Sequence, residues 1–232
     1  MARDQVLSFP DVREQNILKN VYVWMTGGLT LTGLAAYATA SSQAMLQFIF
    51  GTPGVLLVLI IAEFALVISI SARFEKMSAQ TAVLSFIGYA VINGLVLSSV
   101  FLAYSGILIS RTFFTTAAVF AGMSFYGMTT KRELSGIGHY LIMGLWGIII
   151  VSLINMFLGS SGLYYAVSYI GVLLFMGLTA WDTQIIKRWN EAYGASMDEQ
   201  SYVKLSIMGA LKLYLDFINM FLFLLRIFGN RN

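Results

Sequence analysis

Seven apolar runs, each close to the length needed to cross a bilayer, constrain this chain more than any other feature of it. A membrane-spanning helix takes about 20 mostly apolar residues, and such runs fall at 21–40, 54–71, 82–104, 112–129, 140–158, 164–186 and 203–228. The charge supply agrees: charged residues are 11% of the chain and hydrophobic ones 58%, against about 25% charged in a soluble domain. So little charge cannot cover a globular surface in water. The expected fold is an all-α integral membrane protein of seven transmembrane helices.

The connections between the runs are short and leave no room for a second domain. The expected organisation is an N-terminal tail over 1–20, a helical membrane domain over 21–228 and a C-terminal tail over 229–232. The first 20 residues, MARDQVLSFPDVREQNILKN, lack an apolar stretch of their own, so no cleavable signal peptide is expected. The last run is the most diluted, carrying Lys204, Lys212 and Asp216, so a re-entrant segment is the alternative to a full span there.

Lysine and arginine placement sets the expected orientation. Arg3, Arg13 and Lys19 share a side with Arg73, Lys76, Lys131, Arg132, Lys187, Arg188 and Lys204. The other side has Arg111 and, at the carboxyl end, Arg231 with Arg226, and its loops SSQAMLQFIFGTP and GSSG hold no basic residue. A cytoplasmic N-terminus follows. The basic residues sit at run ends and form no stripe, so no nucleic-acid partner is expected. There is no cysteine, which removes disulfides, thiolate metal sites and cysteine nucleophiles together.

Two acids stand out against this background, in TAWDTQIIKRW and LKLYLDFINMFLFLL. An ionised aspartate near the bilayer centre costs roughly 2.5–3.5 kcal/mol on insertion scales, so such a group normally faces the bundle interior and has a partner. Counted from Lys187, Asp182 lies about 6–8 Å below the interface; counted from Met208 on the next, antiparallel run, Asp216 lies about 12 Å deep. At those depths the two side chains can meet, given some helix tilt; counted from Val203 instead, they would miss each other. Two carboxylates in hydrogen-bonding distance resist double ionisation and share a proton, and their full ionisation makes a site for a hard cation such as calcium. The plainer alternative is neutralisation: Lys212 and Asp216 are spaced i, i+4, and Asp182 has Lys187 nearby.

These same segments, GLTAWDTQIIK and GALKLYLDFINMFLFLLRIFGNR, resemble the sixth and seventh spans of the Bax inhibitor-1 family. MTTKRELSGIGHYLIMGLWGIIIVSLINMFL is similar to its fourth-to-fifth region and NVYVWMTGGLTLTGLAAY to its first span. The likeness covers nearly the whole chain and is greatest to bacterial members. It implies a central last helix wrapped by six others, residence in the bacterial inner membrane and a pH-sensitive calcium leak with Asp182 and Asp216 as the sensor and as transient calcium ligands. In some members an arginine near the end of the second span latches one of these aspartates; Arg73 is the nearest match, and an ordinary positive-inside anchor is its other reading.

Other polar residues carry weaker signals. Glu63 lies mid-run in LLVLIIAEFALVISIS; it is expected first to turn to another helix's amide, and lining the same path is the alternative. Asn93, Asn155 and Asn219 lie within runs, where asparagines usually bond between helices; Asn219 is three residues past Asp216 and is a candidate to hold its carboxylate. His139 is the single histidine, and a metal site needs several convergent ligands, so no cofactor is expected and calcium enters only as a transported ion. The expected partners are lipid, calcium and protons, with another membrane protein as the alternative, in which the chain modulates a membrane protease or stress pathway through helix contacts. Enzymatic activity is not expected. The AWD and YLD contexts lack the Y-D and G-x-G-D signatures of intramembrane aspartyl proteases. A retinal site fails too, because Asp216 follows Lys212 instead of preceding it and the third run has no carboxylate.

Overall fold

A computed structural model describes residues 16–74, 76–193 and 197–229; Arg3, Arg13 and Arg231 lie outside them. Among the described residues all regular structure is helical. Seven helices have 18 or more residues: α1 (Ile17–Ala40), α3 (Val55–Ala72), α4 (Ala79–Ala103), α5 (Gly106–Thr129), α6 (Ser135–Leu158), α7 (Ser161–Tyr193) and α8 (Glu199–Phe228). The short α2 (Gln43–Leu46) and a π-turn over Gln47–Gly51 fill the first connection, which the sequence presents only as a loop.

Most helix starts are set by side-chain caps, which relieve the unpaired amides of the first turn. Asn16, Ser42, Ser78, Ser105 and Asp198 each accept a backbone N–H three residues on. Asn16 is why α1 begins at Ile17, four residues ahead of the apolar run. Two glycines at positive φ punctuate the other junctions: Gly54 (φ 87°) before α3 and Gly159 (φ 62°) after α6. Helix α7 outruns its apolar core and continues to Tyr193, because intrahelical bonds persist after hydrophobicity ends. Helix α8 is one unbroken helix of 30 residues, about 45 Å at 1.5 Å per residue, not a re-entrant pair.

Six of these helices are long and apolar enough to cross a membrane. The exception is α1, whose threonines and glycines dilute it. Two of its hydroxyls are bonded to carbonyls: exposed Thr30 bonds back to the Thr26 carbonyl at 2.8 Å, and buried Thr32 donates to the Ala90 carbonyl at 2.8 Å. Its buried residues, Ile17, Val21, Met25, Gly28, Thr32, Ala36 and Thr39, form one stripe at helical spacing. That stripe meets α4 and α8.

Helix α8 is the most buried element, in contact with α7, α1, α5 and α4. Close approach is bought with small residues, as lipid-embedded bundles require. A Cβ on Gly94 of α4 would stand 2.6 Å from both the Thr32 carbonyl oxygen and Ala35 Cβ of α1, and one on Gly127 of α5 would collide with the Ala180 carbonyl of α7. The outer helices are different. Helix α3 rests chiefly on α4, and α6 chiefly on α7; α3 buries only Ile70, and α6 only Gly138 and Ile148. Large apolar side chains such as Phe114, Tyr140, Phe157 and Leu173 point outward, the inverse of a water-soluble surface.

Candidate functional site

Between α3 and α4 on one side and α6 and α7 on the other lies a cavity of about 1290 Å³, floored by α8. The α8 residues facing it at half-burial are Leu205, Met208, Lys212, Leu215, Asn219, Leu222 and Arg226. They alternate at spacings of three and four, which is one face of a helix. From Leu205 to Arg226 that face runs about 30 Å, the thickness of a bilayer's hydrocarbon core. Glu63 (α3), Asp182 (α7) and Asp216 (α8) all border it, as do the bases Lys76, Lys212 and Arg226. The Arg226 guanidinium stacks 5.4 Å from the Tyr164 ring centre and 5.3 Å from that of Phe223.

The acids are held differently from one another. Asp182 is buried, and its Oδ1 accepts from the Lys212 ammonium at 3.1 Å. Lys212 thus bonds across to α7 and not to Asp216 on its own helix, although the i, i+4 spacing offered that pair. Asp216 is also buried, and its Oδ2 has no hydrogen-bond partner. A buried carboxylate oxygen without a donor is costly when ionised; a proton on it or a cation beside it removes that cost. Glu63 is half-buried and accepts from the Asn93 amide at 2.8 Å.

The remaining candidates fall elsewhere. Arg73 is the exposed C-cap of α3 and bonds neither aspartate. Asn219 does not hold Asp216: its amide donates to the Leu215 carbonyl at 2.8 Å, four residues back on its own helix. Asn155 receives the Ser160 amide at 3.0 Å and so caps the end of α6 instead of bridging helices. Lys187, the expected partner of Asp182, donates to the Met128 carbonyl at 2.9 Å and pairs with Glu191 at 3.7 Å. His139 is exposed on α6.

Two polar networks join the helices; the sequence signals Asn93 and Glu63 of the first, Asn93 bonding between helices as expected, but not their other partners. In the first, the Tyr214 hydroxyl donates to Asn93 Oδ1 at 3.0 Å and lies 2.7 Å from Thr32 Oγ1. With the Glu63–Asn93 bond this strings polar groups across α3, α4, α8 and α1. In the second, Gln184 accepts the Leu134 amide at 2.8 Å and donates to the Arg132 carbonyl at 2.9 Å, while Arg188 bonds Glu133 at 3.1 Å. Gln184 thereby supplies what α6 lacks, since Leu134 offers no side-chain cap. The DTQ run therefore serves two purposes, Asp182 facing the cavity and Gln184 pinning the α5–α6 connection.

The family model described as inhibitor of apoptosis-promoting Bax1 matches residues 14–232. The chain is 49% identical over 217 residues to the inner membrane protein YbhL of Escherichia coli strain K12, covering 94% of this chain and 92% of that one. It is 46% identical over 211 residues to an uncharacterized protein of Rickettsia prowazekii, covering 91% and 88% respectively. An uncharacterized protein of Borreliella burgdorferi is 43% identical over 218 residues, 94% of this chain and 93% of its own. With its apolar helices and this full-length likeness, the chain is a membrane protein belonging to the Bax inhibitor-1 family.

Proposed function

We propose that the chain is a pH-sensitive calcium leak of the bacterial inner membrane, non-enzymatic and without a resident cofactor. In this reading all seven long helices span, α8 at the centre, with the N-terminus in the cytoplasm; YbhL of Escherichia coli is named an inner membrane protein. The observation that carries the proposal is the cavity along α8, as long as the hydrocarbon core and bordered by Glu63, Asp182 and Asp216. Lipid-exposed polar groups are expensive, so acids inside a bundle mark ion or proton paths. Protons act on the path through Asp182 and Asp216. The other charged or titratable groups lining the cavity are Lys212 and Arg226 from α8, Glu63 from α3, Tyr89 from α4 and Lys76 from the α3–α4 connection; α6 offers none.

Purified full-length protein in calcium-loaded liposomes tests this. Calcium efflux is expected to change with pH in the wild type, and Asp216→Asn is expected to abolish that pH dependence. Absence of efflux at every pH at which the protein stays folded would overturn the proposal.

A second reading is a helix-binding modulator of another membrane protein. It draws on a separate apolar groove of about 720 Å³ between α1 and α5, floored by Phe217 of α8. Met25, Leu29 and Gly33 face Phe113, Ala117 and Ala121 across it, a spacing that suits another helix. Under this reading the liposomes stay tight.

A further inference from the structure

Lys212 is placed unlike an ordinary membrane lysine. A lysine in a span usually snorkels its ammonium to the interface. Here the ammonium turns to a buried carboxylate on the neighbouring helix, 3.1 Å from Asp182 Oδ1, and stands 5.8 Å from the centre of the Trp181 ring. The Lys212 side chain is 35% exposed and that of Asp182 only 7%. Both side chains line the cavity, and the lysine is the more accessible of the two from it. Trp181 is fixed in turn by Gly138 of α6, where a Cβ would collide with the indole. That indole forms a wall beside the lysine.

The charge bookkeeping is uneven. Lys212 pairs with Asp182 alone, and Asp216 Oδ2 is left without any donor although it borders the same cavity. Among the described residues no three acids or histidines gather as a metal cage, so a divalent ion there would have the two carboxylates and water. That is a site for a passing ion more than a resident one. A lysine is suited to share such a site, being a compact point charge on a flexible stem that can swing away.

We propose that the Lys212 ammonium is a tethered occupant of the Asp182–Asp216 site, an internal competitor that a hard divalent cation must displace in order to bind. The proposal rests on the calcium-leak reading and adds a regulator to it: the lysine sets how much divalent cation is needed to load the path. It also gives the lysine's charge a role beyond stability. Without the lysine, Asp182 is a buried unpaired carboxylate, and a cation becomes its natural replacement.

Terbium luminescence excited through tryptophan tests this on the full-length protein in detergent, because Trp181 adjoins the site. Lys212→Met is expected to bind terbium at least about tenfold more tightly than wild type once the repelling charge is gone. Lys212→Gln should do the same, Lys212→Arg should stay near wild type, and calcium should compete in all of them. Calcium should also raise the unfolding temperature of Lys212→Met more than that of wild type; a merely structural lysine would leave damage that calcium does not repair. Equal or weaker terbium binding by both Lys212→Met and Lys212→Gln overturns the proposal. If wild-type liposomes still leak calcium in that case, only the role of Lys212 falls. If no variant binds terbium and no liposome leaks, the leak reading falls with it.

Discussion

At the scale of single residues, the buried acids were legible in the sequence and their partners were not. Asp182, Asp216 and Glu63 announce themselves because a carboxylate inside an apolar run has to be explained. Which base meets which acid depends on helix rotation and register between α7 and α8, and no local pattern encodes that. The i, i+4 spacing pointed Lys212 to Asp216, yet the lysine crosses to Asp182. Tyr214 was hidden for a related reason: one tyrosine among 12 in an aromatic-rich chain carries no signal until Thr32 and Asn93 come within reach of it. Tyr214→Phe removes the only hydroxyl joining those two groups. It is expected to cost about 0.6–2 kcal/mol, the range for hydrogen bonds between helices in membranes, read by reversible unfolding in mixed micelles. An unchanged stability would mean that the polar string contributes nothing to the bundle.

At the scale of elements, apolar runs located the centres of all seven long helices but not their ends. Ends are set by hydrogen bonding, so α7 continues through charged residues to Tyr193 and α1 starts at its asparagine cap. The first helix was the least visible, since its threonines lower its hydropathy, although Thr32 bonds within the bundle. The start of α8 gives a pH-dependent case outside the apolar span. Asp198 accepts the Ser201 amide at 2.7 Å and the Ser201 hydroxyl at 3.0 Å. These bonds, the amide first, hold its carboxyl below the ordinary aspartate range. A lowered value in the folded state means the cap stabilises fully above the unfolded aspartate's titration and is lost as pH falls through the folded one. Hydrogen exchange at the Ser201 amide should therefore report more fraying in acid, beyond the chemistry of exchange itself. Asp198→Asn keeps a capping oxygen and should flatten that response; an identical response in both proteins would remove the carboxylate from the explanation.

At the scale of the whole molecule, the sequence supported a bundle with a central last helix only through family resemblance, because periodicity cannot say which helix sits among the others. The face of α8 that borders the cavity makes this arrangement testable. The chain has no cysteine, so single cysteines can be introduced without further changes. Cysteines replacing Met208, Leu215, Asn219 or Leu222 should react with a water-soluble maleimide, while those replacing Ile207, Leu213 or Met220, fully buried on the other side, should not. Equal labelling of both faces would mean that water does not follow this side of the helix.

The loose seating of the two outer helices has a mechanical outcome. Helix α3 leans on α4 and α6 on α7, with scarcely any surface buried elsewhere, so spreading them apart would break few protein contacts. The spine of the molecule is stiff and its side walls are compliant. What presses those walls together is the surrounding acyl chains, which makes the width of the passage a property of protein and bilayer jointly.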